Sequence, residues 1–318
     1  MQSVGMAMGK NRGFTIHLIA TLALLAGVAL APQVMAQSAG QQTFKTPQAA
    51  AAALVEAVKN HDKAMALKVL GTRSEGLFNT GDESVDVSQH QLFVEKYQQM
   101  HRLVSNGRYG EILYVGAENW PFPIPIKKGR AGWYFDTEGA RAEIMARRIG
   151  ADELSAINVC LAIAQAQNEY KSQLHDGDTV KQYAQRIASS DGKHDGLYWK
   201  AEGAAPKSPL GPRLALASYG GGADTNAKPT PYHGYYFKTL TAQGKDAPGG
   251  AKDYLANGKL TTGFAVVAYP ARYRDSGVTT FIVNQDAIVY QKDLGPDTEK
   301  IASSMREYNP DKSWVPAN

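Results

Sequence analysis

The stretch PTPYHGYYFK sets His233 among tyrosines at the mouth of an expected strand. Imidazole is the side chain whose ordinary proton affinity lies nearest neutrality. His233, with a carboxylate such as Asp224 or Asp136, is therefore the best acid–base pair in the chain. Tyr232 and Tyr235, with Trp120 of WPFPIPI, form the candidate ligand-binding set. Each residue also has a plainer reading, and the sequence favours it. The His233 ring can pack on Tyr232 or Tyr235 at a sheet end, and Asp136 can cap a helix beginning near Glu138. Trp120, with Phe122 and Trp133, can be core.

A second constellation is the pair of acids in GVTTFIVNQDAIVYQKDLG, Asp286 and Asp293, which could hold a cation or move a proton. Asn284-Gln285-Asp286 lies between two alternating apolar runs, where Asn and Asp side chains bond nearby backbone and tolerate left-handed angles, so turn chemistry explains Asp286. DGKHDG, residues 191–196, has the composition of a cation loop but lacks the alternating acids and closing Glu of an EF-hand. Cys160, the only cysteine, sits in an apolar helical stretch and reads as a small buried residue rather than a nucleophile. No nucleophile elbow, zinc helix, phosphate-binding loop or dinucleotide fingerprint occurs. No metal and no cofactor are expected.

The elements that must position these residues can be read from caps and periodicity. Thr46-Pro47 starts a helix with Ala50, Leu54, Ala57 and Val58 on one face; a second helix ends at Gly71, and Phe93, Tyr97 and Met100 mark a third. EILYVG, FPIPIKK and GWYFDT read as strands, the proline-rich one as an edge or extended arm. The longest helical stretch runs from Ala140 to about Leu174, punctuated at Gly150, with Asp152 and Glu153 opening a new first turn. Leu154, Ile157, Leu161 and Ala164 form its apolar stripe, with Cys160, Ile163 and Tyr170 beside it. A loop-rich insertion at about 175–231 is expected to hold a short helix at Lys181 to Ile187. YYFKTLTAQ, FAVVAYP, TTFIVN and AIVYQKD then give strands, the last three an antiparallel meander. A final helix is expected to face the sheet with Ile301, Met305 and Tyr308. The fold class is α+β: a small N-terminal helix-plus-sheet layer (46–150), then a long central helix and an antiparallel meander packed by helices (151–318).

Lys10 and Arg12 precede an apolar run from Phe14 to Ala31, broken by Pro32 and followed by Val34-Met35-Ala36. This is the pattern of an export signal, residues 1–36, cleaved before Gln37, with 37–45 as a flexible lead-in. RGFTIHL resembles the prepilin cleavage motif through Gly13, Phe14 and Thr15, but Leu18 stands where that motif has glutamate. Processing leaves 34 Lys and Arg less two, against 30 Asp and Glu, a balance that gives no reason to expect nucleic acid. A periplasmic or secreted protein without a stable membrane anchor is expected.

WPFPIPI, GWYFDTEGARAEIMARRIGADELSAI, AQAQNEY, PYHGYYFKTLTAQG and DSGVTTFIVNQDAIVYQKDLG resemble the bacterial domain-of-unknown-function 2950 family of exported proteins, over nearly the whole mature chain. The resemblance implies an envelope protein and carries over no catalytic residue. Similar sequences have Gly where this chain has Ala287, which implies a less strained turn here. The C-terminal part is also similar to pseudopilin-like globular domains, in which a helix packs on an antiparallel sheet. The expected function is a non-enzymatic binding module for an envelope protein, peptide or glycan; the alternative is a periplasmic hydrolase of unrecognised type using His233 and a carboxylate.

Overall fold

In a computed structural model, the described residues are 38–77, 83–200, 207–211, 214 and 229–317. Asp224 and the expected export signal lie outside them. Helix α1 (Pro47–Lys59) begins where Thr46 Oγ1 accepts the Ala49 amide at 3.1 Å. Asp62 does the same for α2 (Lys63–Leu70), accepting Met65 N–H at 2.9 Å, and Gly71 ends that helix at φ +89°. Such side-chain caps stabilise a helix end by about 1 kcal/mol.

After α3 (Glu83–Gln99) comes β1 (His101–Ser105), a strand the periodicity did not announce. It pairs with β2 (Gly110–Val115), followed by β3 (Trp120–Pro121), β4 (Ile126–Lys128) and β5 (Trp133–Phe135) in the order β1-β2-β4-β5, with β3 beside β2. The prolines act as anticipated up to Pro125, where the chain is an arm. Past them β4 is interior rather than edge, because its amides are free to pair with both β2 and β5. Ala50, Leu54, Leu113, Ile124, Ile126 and Phe135 make this layer's core. Before α1, Gln41 donates to Val69 O and Phe135 O, and Phe44 bridges to Trp133.

Helix α4 (Thr137–Lys171) is one continuous 35-residue helix. The expected break at Gly150 does not occur, so Asp152 and Glu153 lie mid-helix. An isolated glycine costs a helix only about 1 kcal/mol, and tertiary packing holds this one together. Ala140 and Ile144 enter the N-terminal core; Ala156, Cys160, Ile163 and Tyr170 enter the C-terminal core. The apolar stripe is rotated from the one expected: Leu154 and Leu161 are 63% and 42% exposed, while Val159, Cys160 and Ile163 face inward. By length and composition α4 could cross a bilayer, yet in this fold it packs against a sheet.

Beyond α4, residues 181–187 are not helical; Arg186–Ala188 form β6, parallel to β7 (Gly196–Tyr198). The reason is Gln167, buried on α4, whose amide accepts from Ala184 N and donates to Ala184 O, both at 2.8 Å. One side chain thereby satisfies both backbone groups of Ala184 and holds the chain extended. Next are β8 (Tyr235–Leu240), β9 (Ala242–Gln243), β10 (Lys252–Asp253), β11 (Leu255–Ala256), β12 (Lys259–Leu260), β13 (Ala265–Pro270), β14 (Thr279–Asn284) and β15 (Tyr290–Asp293). A short helix α5 (Thr298–Ser304), β16 (Glu307–Tyr308) and β17 (Val315–Pro316) complete the chain.

The main sheet has the order β17-β15-β14-β13-β8, and its neighbours are antiparallel, as the meander predicts. The register puts Phe281, Ala268 and Phe237 on one face, with Tyr235. Lys238, on the other face, donates to the carbonyls of Ser303 and Met305 at the end of α5. Phe281 therefore packs on the α4 side with Tyr235, not against the C-terminal helix. From α5 it is Ala302 that is buried; Ile301 is exposed, and Tyr308 reaches the core from β16.

Candidate functional site

His233 and Gly234, at φ +45° and +72°, are the two central residues of a tight hairpin turn closed by mutual Tyr232 and Tyr235 backbone hydrogen bonds of 2.9 and 3.0 Å. Two positive φ values are what a type I′ turn demands. The His233 ring meets Tyr232 edge-on, with centroids 4.4 Å apart. Tyr235 is fully buried, and its hydroxyl donates to Thr279 O at 2.8 Å. Trp120 belongs to the N-terminal sheet, where the Arg147 guanidinium lies 5.4 Å over its ring.

Asp136 is the N-cap of α4, accepting the Gly139 amide at 3.2 Å and pairing with Lys127 at 2.5 Å. The carboxylate beside the His233 turn is instead Asp152: a Cβ added at Gly234 would stand 3.0 Å from Asp152 Oδ2 and 2.7 Å from Ser276 Cβ. Asp152 lies 16 residues along the helix from Asp136, roughly 24 Å at 1.5 Å per residue. Burial pushes the Asp152 carboxyl up to about 7, with Asp275 and Glu153 adding to the shift and Arg148 opposing it. Its neighbour Glu153 accepts the Val278 and Thr279 amides at 2.9 and 3.0 Å, fixing the start of β14 to α4. The Ser276 hydroxyl bonds to both the amide and the carbonyl of Arg272. The sequence signal for Asp152 was present: two adjacent acids with Arg148 one turn before them in the long helical stretch.

Asp286 and Asp293 do not meet. Asp293 is opposite Thr279, at the far end of the β14–β15 hairpin from Asp286. Asp286 sits in the expected turn: its amide donates to Asn284 Oδ1 at 3.1 Å, and its carboxylate accepts from Asn284 Nδ2 at 3.0 Å. Ala287 takes φ +56°, so the turn is strained after all, with a Cβ where relatives are expected to have none. Cys160 is fully buried, and burial pushes its thiol up to about 12.

Residues just past the end of α4 build a half-open pocket of about 170 Å³ against the β7 region. Its floor is Tyr170 and Trp199, both buried; its rim includes Glu169, Gln173 and Lys207. His175 stacks on Tyr170 with centroids 3.9 Å apart, and its Nε2 lies 2.9 Å from Tyr170 O. His194, from the DGKHDG turn, is fixed from several sides. Its Nδ1 is 2.8 Å from Asp176 Oδ1, its amide donates to Asp176 Oδ2, and its carbonyl accepts from the Tyr170 hydroxyl at 2.5 Å. Trp199 meets its ring edge-on at 4.8 Å. Asp195 closes the same turn by accepting from Ser190 N and Oγ. Among the described residues no group of three or more His, Cys, Asp or Glu is placed to hold a metal ion.

The model of a family described as "Protein of unknown function (DUF2950)" matches residues 41–316. No curated protein and no solved structure matches the chain.

Proposed function

This chain belongs to the DUF2950 family of proteins of unknown function, and from that premise we propose that it is an exported cell-envelope protein acting as a non-enzymatic binding module. The observation that carries the binding reading is the half-open pocket past α4, whose two histidines are each held by other protein groups before any ligand arrives. Lining groups fixed in advance lose little freedom on binding, which favours recognition of a small group. Export is supported by the basic start, apolar run and Val34-Met35-Ala36. In this proposal the protein works in the periplasm or outside the cell, its partner is an envelope protein, peptide or glycan, and its mature form carries no membrane anchor. The pseudopilin-like reading enters as an architectural analogy, supported by a long helix lying on an antiparallel sheet, and such an analogy does not transfer function.

One observation favours the hydrolase alternative: the His233 turn lies against Asp152, with Ser276 beside it. The Ser276 hydroxyl, however, is engaged with Arg272 backbone on both sides and is not poised as a nucleophile. Intact-mass analysis of the protein recovered from the producing cell tests the export half. A chain beginning at Gln37 is expected. A start at Phe14, or persistent membrane association, overturns it.

A further inference from the structure

We infer that the pocket past the end of α4 binds a small, uncharged, polyhydroxylated ligand, one sugar ring of a glycan; this rests on the binding-module reading and gives it a ligand class. At about 170 Å³ the pocket is smaller than the roughly 300–1,000 Å³ of a drug-sized site. A single ring suits it better than a folded peptide segment.

A carbonyl and a carboxylate can only accept, so His175 must carry its proton on Nε2, toward Tyr170 O, and His194 on Nδ1, toward Asp176. The other nitrogen of each ring, in the ring's neutral form, is then an acceptor. Glu169 adds a further acceptor, Lys207 a donor, and the Gln173 amide one of each kind. Hydroxyl groups, which donate and accept at once, are the partners that use such a mixture fully.

Glu169 and Asp176 line the pocket, and Asp178, Asp176 and Asp195 add to the burial that holds the Tyr170 phenol above its ordinary range, an acidic setting that disfavours a phosphate or carboxylate ligand. Cation–π capture of an ammonium group would need an open aromatic face. His175 already covers a face of Tyr170, and Trp199 is packed by both histidine rings. Lys207 on the rim also repels a cation.

The test is a titration of the mature chain by saturation-transfer NMR with glucose and N-acetylglucosamine, with inorganic phosphate and putrescine as charged comparisons. It is repeated on Gln173→Ala and Glu169→Gln, exposed rim positions whose replacement leaves the His194 and His175 contacts in place. Saturable binding of at least one neutral sugar is expected, with Kd about 1 mM, weakened tenfold or more in a rim variant that melts like the wild type. No sugar binding, preference for phosphate or putrescine, or equal sugar affinity in both rim variants overturns the inference. If the mature chain fails to bind sugar yet still captures an envelope component, only the ligand class falls; a chain never exported removes the reading beneath it.

Discussion

Replacing Asp152 by Asn gives the most informative change in stability. Burial raises the carboxyl from 3.8 to about 7, so the folded state holds a proton that the unfolded state releases at much lower pH. Between those values the native chain binds more protons than the unfolded one, and stability falls as pH rises. The penalty is absent below the unfolded pKa and complete above about 7. Three pKa units correspond to a ceiling of about 4 kcal/mol at 1.36 kcal/mol per unit. Asp152 is only partly buried and Arg148 is close, so screening reduces this to about 1–2 kcal/mol. Asn keeps the shape and removes the charge. Urea unfolding of both proteins at pH 4.5 and pH 8.5 should show the variant gaining about 1–2 kcal/mol over wild type from the lower to the higher pH. A variant whose difference from wild type is the same at both pH values refutes the raised carboxyl, and one that is less favourable at pH 8.5 identifies Asp152 as a net partner of Arg148.

Other changes test the fold. Phe281→Ala should cost about 3–5 kcal/mol in chemical unfolding through lost burial and a cavity facing α4, while Asp286→Asn, which keeps an acceptor for Asn284, should stay within about half a kcal/mol. Ala287→Gly should raise stability by about 0.5–1 kcal/mol, because glycine removes the Cβ penalty of the φ +56° turn; a loss would show that the turn is not left-handed. Cys160 should resist thiol reagents until denaturant is added, and rapid labelling of the native protein would contradict its burial.

Local chemistry made the cap at Thr46, the stop at Gly71, the β13–β14–β15 meander and the Asn284–Asp286 turn legible from sequence. Each depends on residues within a few positions of one another. What was missed depends on distant partners. The inward face of α4 is set by the sheet it meets, which selects Val159 and Ile163 over Leu154 and Leu161. The extended chain at Ala184 exists because Gln167 clamps it. His233 was visible as a histidine among tyrosines, yet its neighbour Asp152 comes from a helix about 80 residues earlier in the chain. The pocket was least legible of all, since Tyr170, Asp176 and His194 acquire meaning only when two loops fold back onto the end of one helix.

The most direct test of the binding account is capture of an envelope component on the immobilised mature chain, run in parallel with the Gln173→Ala variant. The account predicts that envelope extract yields a retained component whose recovery falls at least tenfold on the variant while both proteins melt alike. Retention of nothing by the mature chain, or equal retention by chain and variant, would contradict it.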